Sequence, residues 1–383
     1  MISKEKIKFD CVYLRGDIPC KPNKLRGKIC DSCDEYKTDE NKNIPSAQAH
    51  KKSSAENFSN KILIIKLGAA GDVIRSTPLL ARFKREFPSS KIEWLTQNPE
   101  ILPQNSTDKI YTDTEENIDT IKKTSYKIAI NLDKDKEACE LLNEVAAEKK
   151  FGFTWEDGHI SATNDASWRK LITGIFDQYS KENTQSYQQE IFSICGFEFN
   201  GELPFLSVNN SLSEKWKSIL SEKSSGKKII GLNTGCGSRW KTRLWQEEKW
   251  IELIKMLQQK NYFPMLLGGP DEDEMNRRYE KTTDAFYAGT FSLEEFIAIS
   301  SNCDAIVTAV SMMMHIATAL QKPLVLFNNI FNKHEFELYG NGKIIEPSTG
   351  CDDYYGQSCT RECHCMNDIG SAEVFITIEE LTK

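Results

Sequence analysis

One stretch constrains the fold more than any other: Lys61-Ile-Leu-Ile-Ile-Lys-Leu-Gly-Ala-Ala-Gly-Asp-Val-Ile-Arg-Ser-Thr-Pro78. Four of the five residues from Ile62 to Lys66 are apolar, and Leu67 closes the run. A short, β-branched-rich run of this kind suits a strand buried on both faces of a parallel sheet. Gly68 and Gly71 permit a sharp turn and leave room for a ligand against the main chain. Thr77-Pro78 reads as an N-cap followed by a first-turn proline, and Leu79, Leu80, Phe83 and Phe87 give the following helix an apolar face. Strand, glycine loop and helix follow one another, and in an open α/β sheet the crevice at the strand end is where ligands sit. Asp72 stands in that loop, either as a carboxylate within reach of a substrate or as a helix cap.

The alternation continues along the chain. Ile92–Thr96 and Ile128–Leu132 read as short strands, and Asp133–Lys149 and Lys181–Cys195 have helical apolar spacing. Cys139 and Cys195 on those helices read as core residues. Leu212–Ser221 is a predicted helix, and Lys228–Thr234 repeats the arrangement of a strand entering a glycine loop. Trp250–Leu257 is the helix behind that loop, and Phe263–Gly269, Ala305–Ala309 and Leu324–Phe327 read as further strands. The pattern predicts an α/β chain of two Rossmann-like domains facing across a cleft. The expected boundaries are 1–45 for a cysteine-rich metal module, 46–60 for a polar linker containing a solvated His50, and 61–210 for the first Rossmann-like domain. The second at 211–350 and a cysteine-rich tail with a closing helix at 351–383 complete the chain.

At 383 residues, with 39% hydrophobic and 10% aromatic residues, the chain is long and apolar enough for two cores. The net charge of -7 argues against a general nucleic-acid binder. No run reaches transmembrane length and Met1–Lys8 has no apolar segment, so the expected location is the cytoplasm.

The second glycine loop carries Arg239, Lys241 and Arg243 beside Gly235 and Gly237. Guanidinium groups and backbone N–H groups together make a phosphate site, the alternative being a solvated basic loop. Asp271 to Glu274 suit the first turn of a helix. A helix N-terminus at Ser311 offers its dipole to an anion, and His315 lies further along that helix. Eight of the twelve cysteines fall at the two ends of the chain. Cys11, Cys20, Cys30 and Cys33 lie in a Pro/Gly-rich segment. Cys351, Cys359, Cys363 and Cys365, with His364 between the last two, form the second set. In a reducing compartment such clustering favours soft metal ions over disulfides; the alternative is reduced free thiols.

Gly71-Asp-Val-Ile-x-x-Thr-Pro78 resembles the opening motif of family 9 glycosyltransferases, the ADP-heptose transferases of lipopolysaccharide core assembly. Asn233-Thr-Gly-Cys-Gly-Ser-Arg-Trp-Lys-Thr-Arg-Leu-Trp245 resembles their donor loop, and Leu267-Gly-Gly-Pro-Asp-Glu272 and Thr308–Leu320 resemble later motifs. The resemblance implies a GT-B fold and an inverting enzyme that moves a sugar, heptose by analogy, from an ADP-sugar donor to a glycan, lipid or protein hydroxyl. It implies Asp72 as general base and Gly71, Thr234, Gly235, Arg239, Lys241, Arg243, Ser311 and His315 around the donor, with Glu272 on the ribose. It departs from the family at Val310 and Met312, where an aspartate and a glycine are usual. Cysteine-rich tails occur in the family, and in its protein-directed members they bind iron. The resemblance thus implies structural zinc or iron, an iron–sulfur cluster included, and a closing helix at 372–381 that packs back on the first domain. It also implies peripheral contact with the inner membrane surface. The competing readings are a non-catalytic sugar-nucleotide or protein-binding module on this fold, favoured by Val310 and Met312, and a metal or redox sensor, favoured by the cysteines.

Overall fold

A computed structural model describes residues 3–39, 58–103, 105–237 and 239–383. His50 and the expected linker up to residue 57 lie outside the described residues. The chain forms two units, Met1–Glu202 and Leu203–Lys383.

The first unit is built on a six-stranded sheet of order β3-β2-β1-β4-β5-β6. Its strands are β1 (Lys61–Ile65), β2 (Lys91–Leu95), β3 (Lys109–Tyr111), β4 (Ser125–Asn131), β5 (Ala146–Glu156) and β6 (His159–Ala162). All pair in parallel except β6, which returns antiparallel to β5. Ile62, Leu63, Ile64 and Ile65 are fully buried, as a central parallel strand requires. Each such side chain contributes about 1.5–3 kcal/mol of burial. The helices are α1 (Lys21–Arg26), α2 (Ala70–Ser76), α3 (Pro78–Glu86), α4 (Glu115–Lys123), α5 (Lys136–Glu144), α6 (Asp165–Ile175), α7 (Asp177–Glu182) and α8 (Tyr187–Ile194).

The cysteine-rich N-terminal segment is part of this unit. The Cys20 N–H donates to the Ile175 carbonyl at 2.9 Å, and Asn23 Nδ2 donates to Gln178 Oε1 at 2.7 Å. Lys24 pairs with Asp177 at 2.8 Å.

The second unit holds α9 (Asn210–Ser224), β7 (Ile229–Asn233), α10 (Glu247–Gln259), β8 (Phe263–Leu267), α11 (Asp273–Thr283), β9 (Phe286–Tyr287), α12 (Leu293–Ser300), β10 (Ala305–Ala309), α13 (Met312–Ala319), β11 (Leu324–Phe327), β12 (Gly342–Ile345) and α14 (Ser371–Leu381). Its parallel sheet runs β12-β11-β10-β7-β8-β9. Trp245, Trp250 and Phe327 pack edge-to-face or tilted at 4.9–5.9 Å beneath it. Cys365, Met366, Ile369, Val374, Phe375 and Ile378 join the same core, so the tail and α14 complete the second unit. The closing helix packs on α10, β11 and β12 of its own unit.

Three local expectations need correction. Thr77 stands at the N-cap position of α3 with Pro78 in its first turn, as expected, but its side chain does not cap: α2 already spans Ala70–Ser76, Thr77 has helical angles (φ −60°, ψ −25°), and its hydroxyl donates back to the Ile74 carbonyl at 2.8 Å. Asp72 thus lies in a first helical turn rather than in an open loop. The helix expected over Asp133–Lys149 stops at Glu144, and Ala146 onward pairs with β4. Ala, Glu and Lys favour a helix locally, but the free edge of β4 decides the outcome. Gly152 permits the close approach: a Cβ there would lie 1.8 Å from the Asn131 carbonyl oxygen. The helix expected over Lys181–Cys195 breaks between Glu182 and Tyr187, where Ser186 and Gln189 form a capping box.

Candidate functional sites

In each sheet the strand order reverses at one point, between β1 and β4 and between β10 and β7. The loops leaving such a pair of strands part to opposite faces and open a crevice at the carboxyl ends. Nearly every residue singled out by sequence, the cysteines apart, lies at one of these two points.

At the first point, Lys66 follows β1 and Asp133 follows β4. The Asp133 carboxylate accepts hydrogen bonds from Lys66 Nζ and from the Leu67 N–H, and lies 3.4 Å from the Gly68 N–H. It therefore anchors the glycine loop across the sheet. Asn131 shapes the turn by accepting from the Asp133 N–H at 2.9 Å. Lys66 is buried, and its Nζ also lies 3.7 Å from Asp72 Oδ2. Burial alone lowers the Lys66 ammonium, but the Asp133 and Asp72 carboxylates more than reverse this and hold it above its ordinary value. Arg75 completes the set, 2.7 Å from Asp72 Oδ1, with its guanidinium 3.6 Å above the Tyr187 ring. The Ser76 hydroxyl ties Tyr187 to the Asp72 carbonyl. Asp72 is thus clamped between two cations while its side chain stays 33% exposed. Gly71 is buried in the same turn of α2. Lys66, Asp133 and Arg75 were not singled out from sequence. The available signal was a charged residue placed directly after a fully apolar strand.

At the second point, Thr234 is buried and donates to Asn276 Oδ1 at 2.6 Å. Glu272 folds back to accept from the Gly269 N–H at 2.8 Å and lies directly on Gly235, where a Cβ would come within 1.9 Å of Glu272 Oε1. The structure therefore brings Thr234, Gly235 and Glu272 together. Ser311, ahead of α13, joins them through a chain of hydroxyl and amide contacts: Ser311 Oγ to Thr308 Oγ1 at 3.0 Å, and Asn233 Nδ2 to Thr308 Oγ1 at 3.0 Å. His315 is half-buried one turn further along α13. Val310 is buried at the end of β10, and Met312 is exposed.

The three basic residues of this loop separate. Arg243 is buried and binds the loop itself, donating to the Cys236 carbonyl and, at 3.2 Å, to the Trp240 carbonyl. Burial lowers its guanidinium below the ordinary value. Arg239 and Lys241 are exposed, and the Arg239 guanidinium lies 4.3 Å over the Trp240 ring. Arg243 therefore shapes the loop, and the two exposed cations are the ones presented to solvent. Cys236 is buried.

The C-terminal cysteines converge in part. The ligand atoms of Cys359, His364 and Cys365 lie within 4.8 Å of one another, the one such group among the described residues. The thiols of Cys351 and Cys365 hydrogen-bond each other. Cys363 is exposed and outside the group; His364 takes its place. Burial pushes the Cys365 thiol up to about 12 and lowers the His364 imidazole, favouring the neutral ring that ligates metal. Two sulfurs and one imidazole thus meet, with Cys351 hydrogen-bonded to one of the sulfurs, a donor set of the kind that suits zinc or iron. This group also touches the donor loop. Asn329 Nδ2 donates to the Thr242 carbonyl at 2.7 Å and to Cys365 Sγ at 3.3 Å. Among the N-terminal cysteines, Cys11, Cys20 and Cys30 are buried, and all four line one pocket.

Two Rossmann-like units, each with a polar constellation at its switch point, match the plan of GT-B glycosyltransferases. The fold is similar to that of a family 9 glycosyl transferase from Veillonella parvula, at 17% identity and a TM-score of 0.65 over 84% of this chain and 97% of that one. It is similar to Escherichia coli ADP-heptose lipopolysaccharide heptosyltransferase II, at 18% identity and a TM-score of 0.62 over 84% and 98%. It is also similar to the dodecameric iron-containing heptosyltransferase TibC of enterotoxigenic E. coli, solved with ADP-D-β-D-heptose, at 14% identity and a TM-score of 0.51 over 84% and 76%. No curated protein sequence matches significantly. Residues 117–345 match the profile of glycosyltransferase family 9 (heptosyltransferase), and the chain belongs to that family. No helix among the described residues is long and apolar enough to cross a membrane.

Proposed function

We propose that the chain transfers heptose from ADP-heptose, with inversion at the anomeric carbon, to a hydroxyl of a glycan, lipid or protein acceptor. The observation that carries this reading is Asp72, partly exposed and held between Lys66 and Arg75 at the end of β1. Asp72 accepts the proton of the acceptor hydroxyl as its oxygen attacks the anomeric carbon. The bond from that carbon to the diphosphate oxygen breaks, and its electron pair leaves with ADP. Arg239, Lys241, the backbone N–H groups of the 234–237 loop and the N-terminus of α13 stabilise the departing charge. Glu272, on the floor of the same loop, binds the ribose. Cys351, Cys359, His364 and Cys365 hold a structural zinc or iron ion, whose chemistry is to fix the tail beneath the donor loop. The iron of TibC supports this reading. Nucleotide-sugar use fits a cytoplasmic enzyme working at the inner membrane surface.

Val310 and Met312 favour a second reading, a module that binds the nucleotide sugar without turning it over. The two separate in one experiment. ADP-heptose is incubated with the protein and an extract of acceptor glycans, lipids and proteins, and the anomeric proton is followed by NMR. Transfer with inverted configuration supports the enzyme. ADP-heptose binding without consumption in any extract supports the module, and retained configuration contradicts the mechanism.

A further inference from the structure

The N-terminal segment contains a site that sugar transfer does not use. Cys11, Cys20, Cys30 and Cys33 are drawn from 23 residues of loop, short helix and turn, yet they surround a single pocket. Three of them are buried. The segment has little else to hold it: among its apolar residues Ile7 and Leu14 are buried, while Val12, Ile18 and Leu25 are exposed. A segment with so small a core gains order from a bound ion or cluster.

The pocket is suited to a negatively charged centre. The backbone amide of Asn23 hydrogen-bonds the Cys20 sulfur, and that of Lys8 hydrogen-bonds the Cys30 sulfur. Lys8 and Lys28 also line the pocket, and Lys8 favours the charged form of Cys30 against its burial. Its width separates it from the C-terminal group. There, three donors come within 4.8 Å of one another; no three of the N-terminal sulfurs do. A single zinc ion with Zn–S bonds of about 2.3 Å draws tetrahedral sulfurs to within about 3.8 Å. A cubane cluster binds each cysteine through a separate iron and so keeps the four sulfurs further apart, around a space of its own.

We propose that Cys11, Cys20, Cys30 and Cys33 hold a four-iron iron–sulfur cluster, one cysteine to each iron. The cluster fastens residues 3–39 to α6 and α7, where Cys20 and Asn23 already bond. The proposal is independent of the transferase reading.

Acid-labile sulfide tests it, because a mononuclear site contains none. The full chain is purified without oxygen, reconstituted with ferrous iron and sulfide, desalted, and assayed for iron, zinc and sulfide. About four sulfides per chain are expected, with broad visible absorbance. Cys359→Ser with Cys365→Ser should leave the sulfide unchanged, and Cys20→Ser with Cys33→Ser should abolish it. One zinc without sulfide overturns the proposal, as does a pair of disulfides or a chain that takes up no sulfide. Should either double variant fail to fold, the sulfide content of the wild-type chain still decides between a cluster and a single ion.

Discussion

Arg243 shows how position decides what a charge does. Its guanidinium is buried and spent on two carbonyls of its own loop, so in the proposed reaction it would act on a nucleotide only through the shape of that turn. Arg239 and Lys241 are exposed beside it. Arg243→Ala should therefore cost about 1–3 kcal/mol of stability, the cost of leaving buried carbonyls unsatisfied, in addition to weakening ADP binding. Lys241→Ala and Arg239→Ala should weaken ADP binding while leaving the melting temperature within about 1 °C, as surface changes do. Calorimetry with ADP, alongside thermal unfolding, checks both halves. Weakened binding only in Arg243→Ala, with no loss of stability, would show that its guanidinium contacts the phosphates directly. Lys66 makes the complementary case. Replacing it by methionine strands Asp133 beneath the glycine loop, so Lys66→Met should cost about 3–5 kcal/mol, measured by denaturant unfolding.

Between elements, polar pairs fix what apolar packing leaves free. Arg82 on α3 reaches Glu202 and the Glu198 carbonyl beyond α8, and both charged side chains of the pair are almost completely buried. Burial raises the Glu202 carboxyl, but the Asn200 backbone amide and Arg82 reverse this and leave it lowered. A lowered carboxyl contributes stability that is complete above its unfolded value of 4.5 and is lost as pH falls through the lower folded value. Glu202→Gln should accordingly flatten the loss of stability below about pH 4.5, and at pH 7 should cost about 3–5 kcal/mol. Unfolding curves from pH 7 to pH 3 check both effects. Asn329 is the corresponding link in the second unit, joining the Thr242 carbonyl to Cys365. Removing metal from the C-terminal group with a chelator should thus raise the donor KM several-fold with a smaller change in kcat. An unchanged KM after verified metal loss would mean that the tail does not brace the loop.

Across the whole molecule, the sheet plan was legible wherever a strand is buried on both faces. β1, β7, β10 and β11 are short, mostly apolar runs, and the glycine loop after β7 and the helix after Ser311 stand where the sequence puts them, whereas the loop expected after β1 is cut short by α2 from Ala70. β5 was not legible, because Ala146 to Lys150 is locally a helical sequence and only pairing with β4 makes it a strand. Half of the first constellation was legible for a related reason. Asp72 lies in a recognisable motif, but its support comes from Lys66 pairing with Asp133, 67 residues away, and no local pattern encodes such a contact. The donor loop's composition was visible, whereas the burial of Arg243 and the exclusion of Cys363 in favour of His364 depend on which way the chain turns.

In the proposed reaction Asp72 takes the acceptor's proton. The direct measurement is the rate of ADP release from ADP-heptose with acceptor present, for wild type and Asp72→Asn, with the ADP Kd measured for each. An unchanged Kd and a rate lower by about 10²-fold or more, the scale of a lost general base, are expected. A variant that turns over within a few-fold of wild type contradicts that role.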